Sequence, residues 1–210
     1  MSFMYPIQYL NKVPVDPPLS LILARLGFQK NKTKLIPEQE ERIRKVMDTG
    51  ILLCRPAACY VSLPIQTMEQ DRIVLEGGSE FRSLGLQKLL EKSREAVLMA
   101  ATVGKDVIER RDDAVKKKNG HEALVLDAVA SEMTDTILDW LMLYINNLIR
   151  RQGRQLTRKR FSPGYGDFSL ENQSRFFQVL DLSRLGLSLN PSMILVPEKS
   201  VTAVAGVEII

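Results

Sequence analysis

The residues best suited to hold a small molecule stand together near the C-terminal end, as Arg160-Phe161-Ser162-Pro163-Gly164-Tyr165-Gly166-Asp167. Gly164 and Gly166 have no Cβ, so the backbone there can turn sharply and approach a ligand closely. Pro163 stiffens the approach. Arg160 offers a planar fork that grips a carboxylate through two charge-assisted hydrogen bonds, and Tyr165 adds a ring face and a hydroxyl. The set suits an amino-acid-like ligand with a carboxylate. A plain loop with a surface arginine uses the same residues, and on their types alone it is the favoured reading.

Much other chemistry is excluded. The chain has one histidine, His121, so a His-rich metal cluster cannot form, and HEALV lacks the second histidine of a zinc-protease helix. A Ser-His-Asp or Cys-His hydrolase would have to use His121, which stands at an expected helix start and reads better as a surface or capping residue. Leu75-Glu76-Gly77-Gly78-Ser79 is a turn, with neither G-x-G-x-x-G nor a phosphate-loop lysine. Cys54 and Cys59 form neither a disulfide framework nor half of a zinc site, and Cys59 sits in an apolar run that marks it as core.

Charge concentrates in one place. Across Arg150 to Arg160, RRQGRQLTRKR, six of eleven residues are cationic, against a net charge of only +4. Such a run holds phosphates or an acidic partner, or is a solvated loop after a long helix. Nucleic-acid binding is disfavoured, because no aromatics interleave the run. With 45% hydrophobic and 26% charged residues the composition is that of a soluble globular protein. The N-terminus, MSFMYPIQYLNK, shows no secretory signal. The most apolar long segment, Leu124 to Ile149, carries Asp127, Glu132, Asp135 and Asp139, so no membrane association is expected and the reading is cytoplasmic.

The elements that must position the loop follow from periodicity. Asp16-Pro17 is expected to cap a short helix ended by Gly27, and Pro37 to open a second one, with Ile43, Val46 and Met47 on one face and Gly50 at its end. Ile51–Cys54, Ala58–Leu63 and Arg72–Leu75 read as strands, Leu86–Lys92 as a helix and Ala96–Val103 as a strand. Lys105–Lys118 is expected to form an exposed amphipathic helix. Leu126, Val129, Ala130, Met133, Ile137, Trp140, Leu141, Tyr144 and Leu148 recur at three- and four-residue steps, which predicts a helix of about seven turns as the spine. After the basic loop, Ser169 caps a helix with Phe176, Phe177, Val179 and Leu180 on its apolar face. Met193–Val196 and Val201–Val207 read as a hairpin across Pro197–Ser200. The expected class is α+β, a single domain over residues 1–210 with helices packed on a largely antiparallel sheet.

RFSPGYGDFSLENQ followed by LGLSLNPSMILVPEKSVTAVAGV resembles the C-terminal half of the reactivation (activation) domain of cobalamin-dependent methionine synthase. The shared features are R-x-x-x-G-Y at Arg160-Gly164-Tyr165 and P-x-x-S-V-x-A at Pro197 to Ala203. The resemblance covers residues 80–210, through Ala100–Gly104 and the Leu126–Trp140 helix; residues 1–80 are poorly matched. It implies a stand-alone form of that domain and an S-adenosylmethionine site in which Arg160 holds the ligand carboxylate. Ser162 and Gly164 would meet the ligand through backbone groups, Tyr165 would line the pocket, and Glu132 would attract the ammonium or sulfonium. No catalytic residue and no metal ligand is implied. The large synthases usually place proline after Gly-Tyr; Gly166-Asp167 stands there in this chain and is expected to loosen the loop.

The implied activity is reductive methylation in methionine biosynthesis. An inert cob(II)alamin receives an electron, and a methyl group from S-adenosylmethionine restores methylcobalamin. The chain has no D-x-H-x-x-G motif, so cobalamin would arrive on a partner, a methionine synthase or another corrinoid protein. A flavodoxin-like or other low-potential donor would supply the electron, and the chain would be incomplete as an enzyme without its partner. Arg150, Arg151, Arg154 and Arg158 are candidates for docking the donor or the corrinoid protein. The alternative is a module that senses S-adenosylmethionine or binds a corrinoid protein without supporting methyl transfer.

Overall fold

The computed structural model describes residues 6–29, 32–33 and 36–210, and the middle of its sheet is β5 (Glu95–Thr102). Alternate side chains of a strand point to opposite faces. Val97, Met99 and Ala101 enter one core, and Ala96, Leu98 and Ala100 enter another. Because both faces are covered, this strand reads as an unbroken apolar run rather than an alternating one. Its antiparallel neighbours are β2 (Ala57–Glu69) and β9 (Ser200–Ile209). Residues 57–64 of β2 lie against β5, and from Ile65 onward the strand pairs instead with β3 (Arg72–Leu75), which pairs with β4 (Glu80–Arg82). β1 (Gln8–Leu10) joins the other edge of β2, and β6 (Arg154–Leu156) pairs with β9. The order is β4-β3-β2-β5-β9-β6, and every pairing is antiparallel.

One face carries α1 (Leu19–Arg25), α2 (Pro37–Leu53), α4 (Asp106–Lys116) and α5 (Gly120–Arg150). The other carries α3 (Leu84–Leu90) and α6 (Gln173–Val179), packed with the β3–β4 hairpin. This is the expected α+β domain, with the sheet as the middle layer. At 31 residues α5 spans about 46 Å. Asn119 starts it, its side chain accepting from the Glu122 N–H. Leu126, Val129, Met133, Ile137 and Leu141 are buried along it as the periodicity requires. Cys54 and Cys59 are buried, and burial pushes both thiols up to about 12.

Several local expectations need correction. Asp16 does not cap α1; Pro18 holds the N-cap position without a side-chain bond. At the other end the Gly27 N–H reaches the Ala24 carbonyl and the Phe28 N–H that of Leu23, so the helix does stop at Gly27. Ile51–Cys54 is not a strand. α2 runs through Gly50 to Leu53, because a Cβ at Gly50 would stand 3.0 Å from Leu126 Cδ2; the glycine permits close helix packing rather than ending the helix. The basic stretch is not all loop, since Arg154–Leu156 forms β6 against Val207–Ile209. The C-terminal hairpin does not form: β8 (Leu195–Val196) pairs with β7 (Ser188–Leu189), while β9 lies between β5 and β6. The N-terminal targeting expectation rests partly on residues 1–5, which lie outside the described residues. Among the described residues no helix is long and apolar enough to cross a membrane.

Candidate functional site

Phe161 begins the Arg160–Asp167 loop and ties it to the sheet. Its N–H donates to the Val204 carbonyl at 2.9 Å and its carbonyl accepts from the Val204 N–H at 2.8 Å. Its ring stacks on Phe168 at 5.8 Å between centroids, so an aromatic pair closes the loop from within. Inside this clasp the Gly164 N–H donates to the Phe168 carbonyl at 2.7 Å, and the Tyr165 N–H donates to the Ser162 carbonyl at 3.2 Å. The Gly164 backbone is left-handed, at φ +91°, where a side chain would be strained. Pro163 is buried and Tyr165 is 69% exposed. Gly164 therefore offers a ligand its carbonyl, its N–H being engaged, and Tyr165 stands at the tip with its ring free.

The Gly166-Asp167 pair does not loosen the loop. Asp167 accepts from the Ser83 hydroxyl at 2.7 Å, the Leu84 N–H at 2.6 Å and the Gly85 N–H at 3.2 Å. Ser83 in turn caps α3 by accepting from the Leu86 N–H. A Cβ at Gly85 would meet Asp167 Oδ1 at 2.9 Å and Phe161 Cζ at 3.0 Å, so only glycine admits this approach. The Ser83 hydroxyl, followed by the Leu84 and Gly85 N–H groups, holds the Asp167 carboxyl below its usual range. An aspartate side chain thus supplies the rigidity that a proline would otherwise give.

Arg160 is half-buried at the start of the loop, and its Nη1 bonds Asp139 of α5. Glu132 lies two turns earlier on that helix and is held by Arg25 of α1. Between them Asp135 feels both arginines and both carboxylates and forms no ion pair among the described residues. Desolvation, with Glu132 and Asp139 adding, raises its carboxyl above the usual value, while Arg160 and Arg25 oppose the shift. Arg160 and Glu132 are therefore brought to one face of α5. The sequence reading missed Arg25, Asp135 and Asp139 as members of this group. The i, i+3, i+7 spacing of Glu132, Asp135 and Asp139 was visible as a helical stripe, but nothing in the sequence placed Arg25 over it.

Three carboxylates and two guanidiniums thus stand together on this face, so it carries both signs of charge. Asp139 engages only Nη1 of the Arg160 guanidinium, and Asp135 forms no ion pair among the described residues. Arg150, Arg154 and Arg158 line a cleft that Arg160 and Asp139 bound; Arg151 is exposed and is not part of its lining. Among the described residues no group of three or more His, Cys, Asp or Glu is placed to hold a metal ion.

No protein-family model and no curated protein matches this sequence. Among solved structures, the MetH reactivation domain bound to AdoHcy superimposes with a TM-score of 0.68 at 12% identity, covering 98% of this chain and 79% of that one. The chain thus has the fold of the MetH reactivation domain along nearly its whole length.

Proposed function

We propose that this chain binds S-adenosylmethionine between the Arg160–Asp167 loop and the acidic face of α5, and supports reactivation of a cobalamin-dependent methionine synthase. The observation that carries the reading is the shared fold with a domain that is bound to AdoHcy, the demethylated form of S-adenosylmethionine. The residues of this chain fit that ligand: Arg160 suits its carboxylate, Asp135 and Glu132 its positive charges, and Tyr165 its flat base.

Bound S-adenosylmethionine would supply a methyl group whose bond to sulfur breaks with the electron pair left on sulfur. The residues here orient it. The Arg160 fork fixes the carboxylate, the clasp at Phe161 and the Asp167 cap hold the loop rigid, and Asp135 keeps the charged centre on the α5 face. Holding two reactants in line supplies on the order of 7–11 kcal/mol of a barrier without acid or base. Cobalamin would be presented by a partner corrinoid protein, and the electron would come from a flavodoxin-like or other low-potential donor.

Calorimetric titration with S-adenosylmethionine tests the reading. Saturable one-to-one binding is expected, weakened about tenfold to a hundredfold in Arg160→Ala, the range for a lost charge-assisted pair. Absence of binding by the intact protein, with or without a corrinoid partner, overturns it. Binding without any methylation of a partner's cobalamin would leave a sensing module.

A further inference from the structure

Where the acidic stripe ends at Asp139, the end of α5 and the β6 segment enclose a cleft of about 650 Å³. That size lies within the range of small-molecule sites. Its walls carry Arg150 from α5, Arg154 and Arg158 from the β6 side, and, at the boundary, Arg160 with its partner Asp139. Asn147 and Thr157 add polar groups, and Met142, Leu143 and Leu156 give it an apolar floor.

The arginines are unequally compensated. Arg154 is paired with Glu95, and Arg160 with Asp139. Among the described residues, Arg150 and Arg158 form no ion pair. Two uncompensated guanidiniums facing one concave space raise the local positive potential, and an anion placed between them relieves it. Planar guanidinium forks match the oxygens of phosphate. A bare inorganic anion would fill little of the volume and would leave the apolar floor wet.

We propose that this cleft is a second ligand site, taking an organic phosphate whose charged end lies between Arg150 and Arg158 and whose less polar part covers Met142 and Leu143. The helix explains its placement. Along α5 the charge changes from acidic at Glu132–Asp139 to basic at Arg150, and Arg160 stands at the change. Concavity favours a small ligand over an acidic protein surface, which would meet exposed Arg151 equally well.

The test titrates adenosine diphosphate and inorganic pyrophosphate into the intact protein and into an Arg150→Gln/Arg158→Gln variant, by calorimetry at low salt. Both substitutions fall on exposed side chains outside the S-adenosylmethionine site, so S-adenosylmethionine binding serves as the folding control and should change less than about twofold. Expected is one-to-one binding of adenosine diphosphate, tighter than that of pyrophosphate and weakened at least about tenfold in the variant. No saturable binding, or equal binding by the variant, overturns the inference. So does binding of a glutamate-rich peptide in place of either phosphate, which would make the cleft a protein-docking surface. Loss of S-adenosylmethionine binding with adenosine diphosphate binding intact would remove only the function proposed above.

Discussion

Asp135 is the residue at which binding and stability are expected to oppose one another. Burial raises its folded-state value, so its favourable contribution to folding is fully present below the unfolded carboxylate value. That contribution is lost as pH rises through the folded one. Asp135→Asn should therefore stabilise the protein at neutral pH by about 0.5 kcal/mol, a small figure because solvent reaches the site, and the gain should vanish in acid. The same substitution should weaken S-adenosylmethionine several-fold, by removing the charge that faces its cation. Thermal melts and titrations at pH 7 and in acid read both effects. A variant that binds normally removes Asp135 from the site. Asp167 has the opposite sign: its depressed value stabilises the loop above the unfolded value, and that stabilisation is lost as pH falls through the folded one. Asp167→Ala should cost about 1 kcal/mol, the usual worth of a cap, and should weaken ligand binding with it. Unchanged affinity would mean that the clasp at Phe161 holds the loop alone.

At the scale of elements, β9 passes close to the end of α3 and the turn that follows it. A Cβ at Gly206 would stand 2.0 Å from Ser93 Oγ and 2.8 Å from Ser93 Cβ. The buried Ser93 hydroxyl meanwhile has no hydrogen-bond partner among the described residues. Gly206→Ala should cost about 2 kcal/mol or more, in the range of overpacked cores. Ser93→Ala should be neutral or stabilising, since it removes an unsatisfied polar group. Chemical denaturation of the two single variants and their combination measures this, and the combination should recover only part of the loss because Ser93 Cβ remains in the way. If Ser93→Ala is strongly destabilising, the hydroxyl has a partner that this geometry does not account for.

Over the whole molecule, two hydrophobic cores share one sheet. Met99 and Leu98 are neighbours on β5 but belong to opposite cores. Losing one core exposes a face of the strands that the other core needs, so the domain should unfold in a single transition. Leu98→Ala should cost about 2–5 kcal/mol. It should shift the fluorescence of Trp140, which packs against the opposite core, to the same midpoint as the circular dichroism. Separate midpoints would show that the layers melt independently.

Periodicity was enough to read α5 and the helix after Pro37, because side-chain spacing on one element is a local property that burial on one face imposes; the strands at Ala58–Leu63, Arg72–Leu75 and Ala96–Val103 were readable as short apolar runs bounded by proline and glycine. The glycines, proline and arginine of the 160–167 loop stood together in the sequence, but their types alone fitted a plain loop as well as a site. Ile51–Cys54, the basic β6 and the pairing of the C-terminal strands were misread, since a short apolar or charged run carries no mark of which partner it will meet. Tertiary structure alone decided that Gly50 lies inside a helix against Leu126, that Asp167 caps α3, and that Arg25 and Arg160 flank Asp135. Each of these depends on a contact between residues far apart in the chain. Local spacing can place a residue on a face of its own element, but which charge or carbonyl from elsewhere meets that face is set only when the layers pack.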